Sequence, residues 1–228
     1  GSETRFAPHV HKEMAMRVEI VVLAAGRSRR FGEADKLLAP FDGEPLIVRT
    51  VRRVARVQMA DHEAGVTVVV DDTNGSVAKA LRTAGLDPPL TIVVNERADD
   101  GMGTSIAAGI ASLASITGAV VVVPGDMPFV SAGLIKALIA AFVADGGTRP
   151  AYPVLADGTQ ANPVIWPRAY FGKLAALTGD KGGKGLLATQ SCCTIVLKDD
   201  QLASDVDTPD DLAMLQTVGK STIGESTV

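Results

Sequence analysis

With 228 residues, of which 46% are hydrophobic and 21% charged, the chain can bury a sizeable core and falls in the globular class rather than the disordered or fibrous one. Its formal net charge of −4 lacks the basic footprint of a sequence-independent nucleic-acid binder, although it leaves room for a local cationic pocket. No apolar run reaches the length of a membrane span, and nucleic acid and membrane are both excluded as expected partners.

Strand-like runs alternate with helical patterns. Residues 18–23 form the first expected strand, 66–70 the second and 91–94 the third. The fourth, 119–123 (Ala119-Val120-Val121-Val122-Val123), is apolar on both faces, as a central parallel strand covered by helices would be. Helices are expected over 45–57, 76–84, 102–114 and 132–143. In the first of these Ile47, Val51 and Val54 make an apolar stripe, with Arg49, Arg52, Arg53 and Arg56 mostly opposite, so the arginines read as a solvated face. Pro45 suits an opening helical turn. Beyond residue 148 the pattern is less regular. Short strands are expected at 151–155, 162–165 and 194–197, with helices at 168–177, 182–190 and 208–216.

Such β-α alternation implies a mainly parallel sheet with right-handed crossovers, hence a three-layer α/β fold. Residues 17–217 read as one domain, preceded by an extension over 1–16 and followed by a tail over 218–228, both expected to be flexible. Gly1-Ser2 reads as a cloning remnant, and residues 1–16 lack the apolar core of a signal peptide. The two cysteines, Cys192 and Cys193, are adjacent and outside any CxxC spacing, which points to two reduced thiols near a strand and to a cytoplasmic location.

In an open parallel sheet ligands bind beyond the carboxyl ends of the strands, so the loops there carry the information. After the first strand come Ala25-Gly26-Arg27-Ser28-Arg29-Arg30-Phe31-Gly32 and then Lys36. A glycine lets backbone approach an anion, a serine donates a hydroxyl, and clustered cations favour a polyphosphate. The loop is neither a Walker A sequence nor a dinucleotide GxGxxG, which argues against a nicotinamide-type oxidoreductase. A glycine turn with solvated arginines explains the composition about equally well. After the fourth strand, Pro124-Gly125-Asp126-Met127-Pro128 places a carboxylate where a hard cation such as magnesium could sit, or where a turn aspartate would. In Asp205-Val206-Asp207-Thr208-Pro209-Asp210-Asp211, Thr208, Asp210 and Asp211 are explained by a helix start, which leaves Asp207 as a second metal carboxylate. Gly101-Met102-Gly103-Thr104-Ser105 opens a helix, and Gly179-Asp180-Lys181-Gly182-Gly183-Lys184-Gly185 is a basic glycine-rich loop. His9, His11 and His62 lie in no metal or triad context.

Together these blocks resemble the MobA-like NTP transferase family. Leu23-Ala24-Ala25-Gly26-x-Ser28-x-Arg30-x-Gly32 with Lys36 is similar to that family's first signature, and Gly101-Met102-Gly103-x-Ser105, Gly125-Asp126-Met127-Pro128, Asn162-Pro163-Val164, Gly179-Asp180-x-Gly182-Gly183 and Asp205-x-Asp207-Thr208-Pro209-x-Asp211 resemble later ones. The branch resembled most is the molybdenum cofactor cytidylyltransferases, although Gln160-Ala161 stand where that branch often carries Arg-Gly. The resemblance implies a Rossmann-like nucleotidyltransferase fold of the glycosyltransferase-A type. It also implies transfer of NMP to a phosphorylated acceptor with release of pyrophosphate. Leu23, Ala24, Ala25, Gly26, Ser28, Arg30 and Lys36 would then cradle the NTP, Asp126 and Asp207 would hold Mg2+ (or Mn2+), and Asn95, Gly103 and Ser105 would face ribose or base. Arg30, Lys36 and Asp126 would be catalytic. Ala25 favours CTP over GTP, and the implied acceptor is molybdopterin cofactor. A transient contact with a molybdoenzyme or its chaperone follows from that acceptor. The alternatives are a sugar-phosphate or other phosphorylated acceptor, guanylyl transfer, and an NTP-binding regulator without turnover.

Overall fold

The computed structural model describes residues 16–26, 35–59, 62–87, 89–180 and 182–223. In chain order the strands are β1 (Arg17–Ala24), β2 (Pro40–Phe41), β3 (Glu44–Pro45), β4 (Gln58–Met59), β5 (His62–Glu63), β6 (Val66–Val70), β7 (Thr91–Val94), β8 (Thr117–Pro124), β9 (Ala151–Val154), β10 (Val164–Pro167) and β11 (Cys193–Val196). The α-helices are α1 (Leu46–Val54), α2 (Ser76–Thr83), α3 (Met102–Ala111), α4 (Ala132–Ala144), α5 (Phe171–Ala175), α6 (Lys184–Leu187) and α7 (Pro209–Ile223). Among the described residues the main sheet has seven strands in the order β11-β9-β10-β8-β1-β6-β7. β10 runs antiparallel to both of its neighbours, and the other pairings are parallel. This is the expected mainly parallel α/β fold.

Alternation along β1 makes the layers. Val18, Ile20, Val22 and Ala24 join one apolar cluster with α1, α2 and α4. Val21 joins a second on the other face with Ile106 and Ile110 of α3, Trp166, Leu174 and Leu187. Every residue from Ala119 to Val123 is buried, so helices cover β8 on both sides. A third, smaller cluster of Phe41, Leu46, Val206 and Leu215, with Phe129 and Leu212 against it, fastens α7 beside the carboxyl edge of the sheet. The start of α7 is a reciprocal cap: Thr208 Oγ1 accepts from the Asp211 amide at 3.1 Å, and Asp211 Oδ2 accepts from the Thr208 amide at 2.8 Å.

Several boundaries differ from those expected. Pro45 pairs with Pro40 in a short ribbon, and α1 begins only at Leu46. The strand expected at 162–165 is displaced to Val164–Pro167, because Pro163 has no amide to enter the ladder. The helix expected over 168–177 divides into a 3-10 turn at Arg168–Tyr170 and the short α5. That over 182–190 contracts to α6, since Gly182 has φ 53°, a left-handed conformation that stops a helix from starting there. α7 continues to Ile223, past the helix end expected at 216. The arginines of α1 also depart from a purely solvated face. Arg49 and Arg53 bond to backbone carbonyls of the segment after β8, while Arg52 pairs with Glu44.

Candidate active site

The register of the sheet places the carboxyl ends of β1, β6, β7 and β8 along one edge, with Ala24 opposite Val70, Val70 opposite Val94 and Leu23 opposite Pro124. A cavity of about 390 Å³ opens there, lined by residues that include Leu23, Gly26, Lys36, Ser105, Asp126 and Asp207. Its position follows from topology, since the chain leaves each parallel strand at this edge and the loops gather around a crevice.

Lys36 is the centre of the polar arrangement. It lies in a 3-10 turn (Lys36–Leu38) started by Asp35, whose carboxylate accepts from the Leu37 amide at 3.0 Å. From that turn its ammonium reaches Asp126 Oδ2 at 2.6 Å and Asp207 Oδ1 at 3.2 Å, and it donates to the Val206 carbonyl at 2.8 Å. The Lys36 and Asp126 side chains are 16% and 15% exposed, so water screens this pair weakly. Asp126 is held from both sides of its peptide. The Gly125 amide donates to Leu23 O at 2.9 Å, and the Asp126 carbonyl accepts from Val206 N at 3.0 Å. A side chain on Gly125 would lie 2.7 Å from Leu23 O, so only glycine lets the loop press this close to β1. The second oxygen of the carboxylate, Asp126 Oδ1, is buried with no hydrogen-bond partner among the described residues.

Burial is the largest single influence on Lys36 and pulls its pKa down, but attraction and hydrogen bonds from Asp126 and then Asp207 outweigh it and hold the group above the ordinary lysine value of 10.5. A raised folded pKa contributes stability in full below the unfolded value and loses it as pH rises through the folded one. The melting-temperature difference between wild type and Lys36→Met should therefore stay constant up to about pH 10 and shrink above it. Thermal melts from neutral to strongly alkaline pH check this, and a difference that widens with alkalinity would contradict it. Asp205 stands beside the same carboxylates; desolvation, then Asp126 and Asp207, raise its pKa.

Other expected site residues have different surroundings. Ser105 is buried and lines the cavity, and Leu23 and Gly26 also line it. The side chains of Ala24 and Ala25 are buried in the two opposite apolar clusters. Asn95 is buried and its amide is engaged within the fold: Nδ2 donates to Thr104 Oγ1 at 2.9 Å and Ser105 Oγ at 3.0 Å, and Oδ1 accepts from the Arg97 amide at 3.0 Å. It joins the end of β7 to the start of α3. The open side of Gly103 faces backbone, where an added Cβ would lie 2.8 Å from Thr178 N, and its amide donates to Gly179 O at 2.9 Å. These contacts make Asn95 and Gly103 parts of the frame behind the cavity. Ser28 and Arg30 lie outside the described residues.

Asp99 and Asp180 both line the cavity. Asp180 belongs to a block that carried the family resemblance but was given no role, and nothing in the sequence marked Asp99. Asp126 and Asp207 remain a pair, since among the described residues no group of three or more His, Cys, Asp or Glu could hold a metal. Burial raises the Cys192 pKa, so that thiol is no ready nucleophile. Among the described residues no helix is long and apolar enough to cross a membrane.

A model of the MobA-like NTP transferase domain matches residues 20–194. The chain belongs to this family. It therefore carries a nucleotidyltransferase domain of the MobA-like kind, and its sheet and helices form that Rossmann-like α/β fold. Among curated relatives, the bifunctional protein GlmU of Leifsonia xyli subsp. xyli is 33% identical over 144 residues, which are 61% of this chain and 28% of that protein. A probable molybdenum cofactor guanylyltransferase of Pyrococcus horikoshii is 34% identical over 127 residues, 56% of this chain and 57% of the relative. The chain thus spans less than two thirds of the length of either. Among solved structures, Rv0371c of Mycobacterium tuberculosis H37Rv has a TM-score of 0.72 at 28% identity, covering 89% of this chain and 99% of that one. A complex of Rv0371C with manganese has a TM-score of 0.69 at 27% identity, covering 88% and 98%.

Proposed function

We propose that the protein transfers a nucleoside monophosphate from an NTP to a phosphorylated acceptor and releases pyrophosphate, with CTP as donor and molybdopterin cofactor as acceptor. The observation that carries this reading is the largely buried carboxylate of Asp126 at the sheet edge, with one oxygen on Lys36 and the other, Oδ1, buried without a partner among the described residues. A buried acceptor atom lacking a partner is costly unless a ligand completes it, and a hard cation suits a carboxylate pair of this kind. Asp126 and Asp207 would hold magnesium or manganese, which fits a relative that has been solved with manganese. Such a cation would supply neutralisation of the phosphate oxygens during in-line displacement.

The chain's own residues carry the remaining work. Lys36, already on both carboxylates, would turn its charge to the triphosphate and stabilise the departing pyrophosphate. Among the described residues nothing crowds Gly26 at the cavity, so backbone there could approach phosphate, and Ser28 and Arg30 would complete the cradle. The acceptor phosphate oxygen attacks the α-phosphorus as the bond to the bridging oxygen of the β-phosphate breaks. An acceptor phosphate is largely ionised at neutral pH, so the step requires no general base. The site's contribution is mainly position and charge.

Ala25, through the family resemblance, supports CTP; relatives named as guanylyltransferases make GTP the second reading. Relatives named GlmU keep a sugar-phosphate acceptor in view. A pyrophosphate-release screen of CTP, GTP and ATP against molybdopterin-type and sugar-phosphate acceptors tests all of these. The expected result is fastest release with CTP and the molybdopterin acceptor. Faster release with GTP overturns the base assignment, faster release with a sugar phosphate overturns the acceptor, and NTP binding without release overturns catalysis.

A further inference from the structure

Asp126 begins a segment that leaves β8 and reaches α4 without any strand partner of its own. Three successive carbonyls of this segment, those of Pro128, Phe129 and Val130, point to two side chains of α1. Arg49 Nε donates to Pro128 O at 3.1 Å. Arg53 Nη2 donates to Phe129 O at 3.3 Å, and Arg53 Nε donates to Val130 O at 2.7 Å. Backbone carbonyls outside regular structure must find donors somewhere, and a guanidinium fork can serve two neighbours at once in fixed geometry. Arg49 is secured in turn by Asp42 at 2.9 Å and lies over the Phe41 ring at 4.9 Å, and Phe41 meets Phe129 edge-on. Arg53 differs in that its bonds among the described residues go to carbonyls rather than carboxylates. Burial, then Arg49 and Arg56, lower its pKa, so this grouping of like charges costs energy that the carbonyl bonds must offset.

We propose that Arg53, supported by Arg49, is a positioning residue for the transfer site: it sets the path of residues 128–130 and thereby the placement of the Asp126 carboxylate toward its cation. This rests on the reading of Asp126 as a metal carboxylate. Among the described residues Arg53 is not part of the cavity lining, and its bonds go to Phe129 and Val130 rather than to that carboxylate. Its action is mechanical. The two guanidinium groups supply the donors for three successive carbonyls after Asp126; Asp126 itself is also held by the Gly125–Leu23 and Asp126–Val206 backbone bonds and by Lys36, and the segment by the buried Met127 and Val130. Arg52 sits one position away on the same helix, yet pairs with Glu44 and, among the described residues, supplies no bond to the segment.

The test uses the full chain with Arg53→Gln, Arg53→Lys and Arg52→Gln. Manganese binding is followed by the electron paramagnetic resonance signal of free Mn2+, beside thermal melts and the metal dependence of pyrophosphate release. Outer-shell partners of a metal carboxylate typically change metal affinity by about 10- to 100-fold. Arg53→Gln is expected to weaken manganese binding about tenfold, and Arg53→Lys, which keeps the charge and one donor direction, by a smaller factor. Arg52→Gln should bind like wild type. Release by Arg53→Gln should recover at high metal with the NTP KM unchanged. A lowered melting temperature with wild-type manganese affinity would overturn the proposal and leave Arg53 a purely structural residue. If Arg53→Gln does not fold, Arg53→Lys decides by the same comparison. Wild-type protein that binds no manganese overturns the metal reading and this inference with it, an outcome distinct from equal binding by wild type and variants.

Discussion

Replacing Asp126 with alanine is expected to lower pyrophosphate release about a thousandfold, roughly 4 kcal/mol in the transition state, while the protein stays folded. The loss follows from geometry. The carboxylate is the one group that both pairs with Lys36 at 2.6 Å and keeps a buried oxygen without a partner among the described residues, so it is placed to bind a cation and to orient the lysine together. Folding should survive because the backbone at this point is fixed independently, by Gly125 to Leu23 and by Val206 to Asp126. Removing the side chain also relieves an unsatisfied buried atom. Single-turnover assays at several magnesium concentrations, with thermal melts alongside, check both halves. Release near the wild-type rate with any NTP would sink the metal assignment.

Lys36→Ala should lower kcat/KM about a hundredfold, close to 2.7 kcal/mol, through both weaker NTP binding and slower transfer. Here stability should fall as well. The variant leaves Asp126 mostly buried and Asp207 nearby without their shared cation, and stranding one member of a buried pair is strongly destabilising. Added divalent metal should restore melting temperature, because a cation replaces the missing charge, but should not restore the rate. That split separates a lysine that acts on the triphosphate from one that merely neutralises carboxylates. Unchanged kinetics would reduce the loop from Gly26 to Lys36 to a turn.

The sequence and the folded chain agree best where local chemistry is strong. The apolar run of β8 could only be a strand covered on both faces, and it is. Thr208 and Asp211 announced a helix start and make its cap. Agreement is weakest where a residue's partner is distant. The α1 arginines looked solvated because a helical pattern carries no record of carbonyls such as Pro128 O, 79 residues away. Asn95 and Gly103 sit near the expected ligand in sequence, yet their polar atoms or open faces are taken up by Thr104, Ser105 and Thr178. Asp180 had a place in a resembling block but no role until the contact between Gly103 and the 178–180 loop brought it to the cavity.

The sequence alone determined the parallel α/β plan, since alternating periodicities and buried β-branched runs leave few other ways to cover a sheet. It also placed Gly26, Lys36, Asp126 and Asp207 in loops that such a sheet must gather at its carboxyl edge. Only tertiary structure decided that Lys36 meets Asp207, 171 residues away, and that one ammonium bridges both carboxylates. The reason is that pattern governs which elements form, whereas side-chain chemistry at the edge depends on how separate elements pack. The third cluster, in which Phe41, Leu46, Val206 and Leu215 hold α7 against the sheet edge, is what brings Asp207 to the lysine.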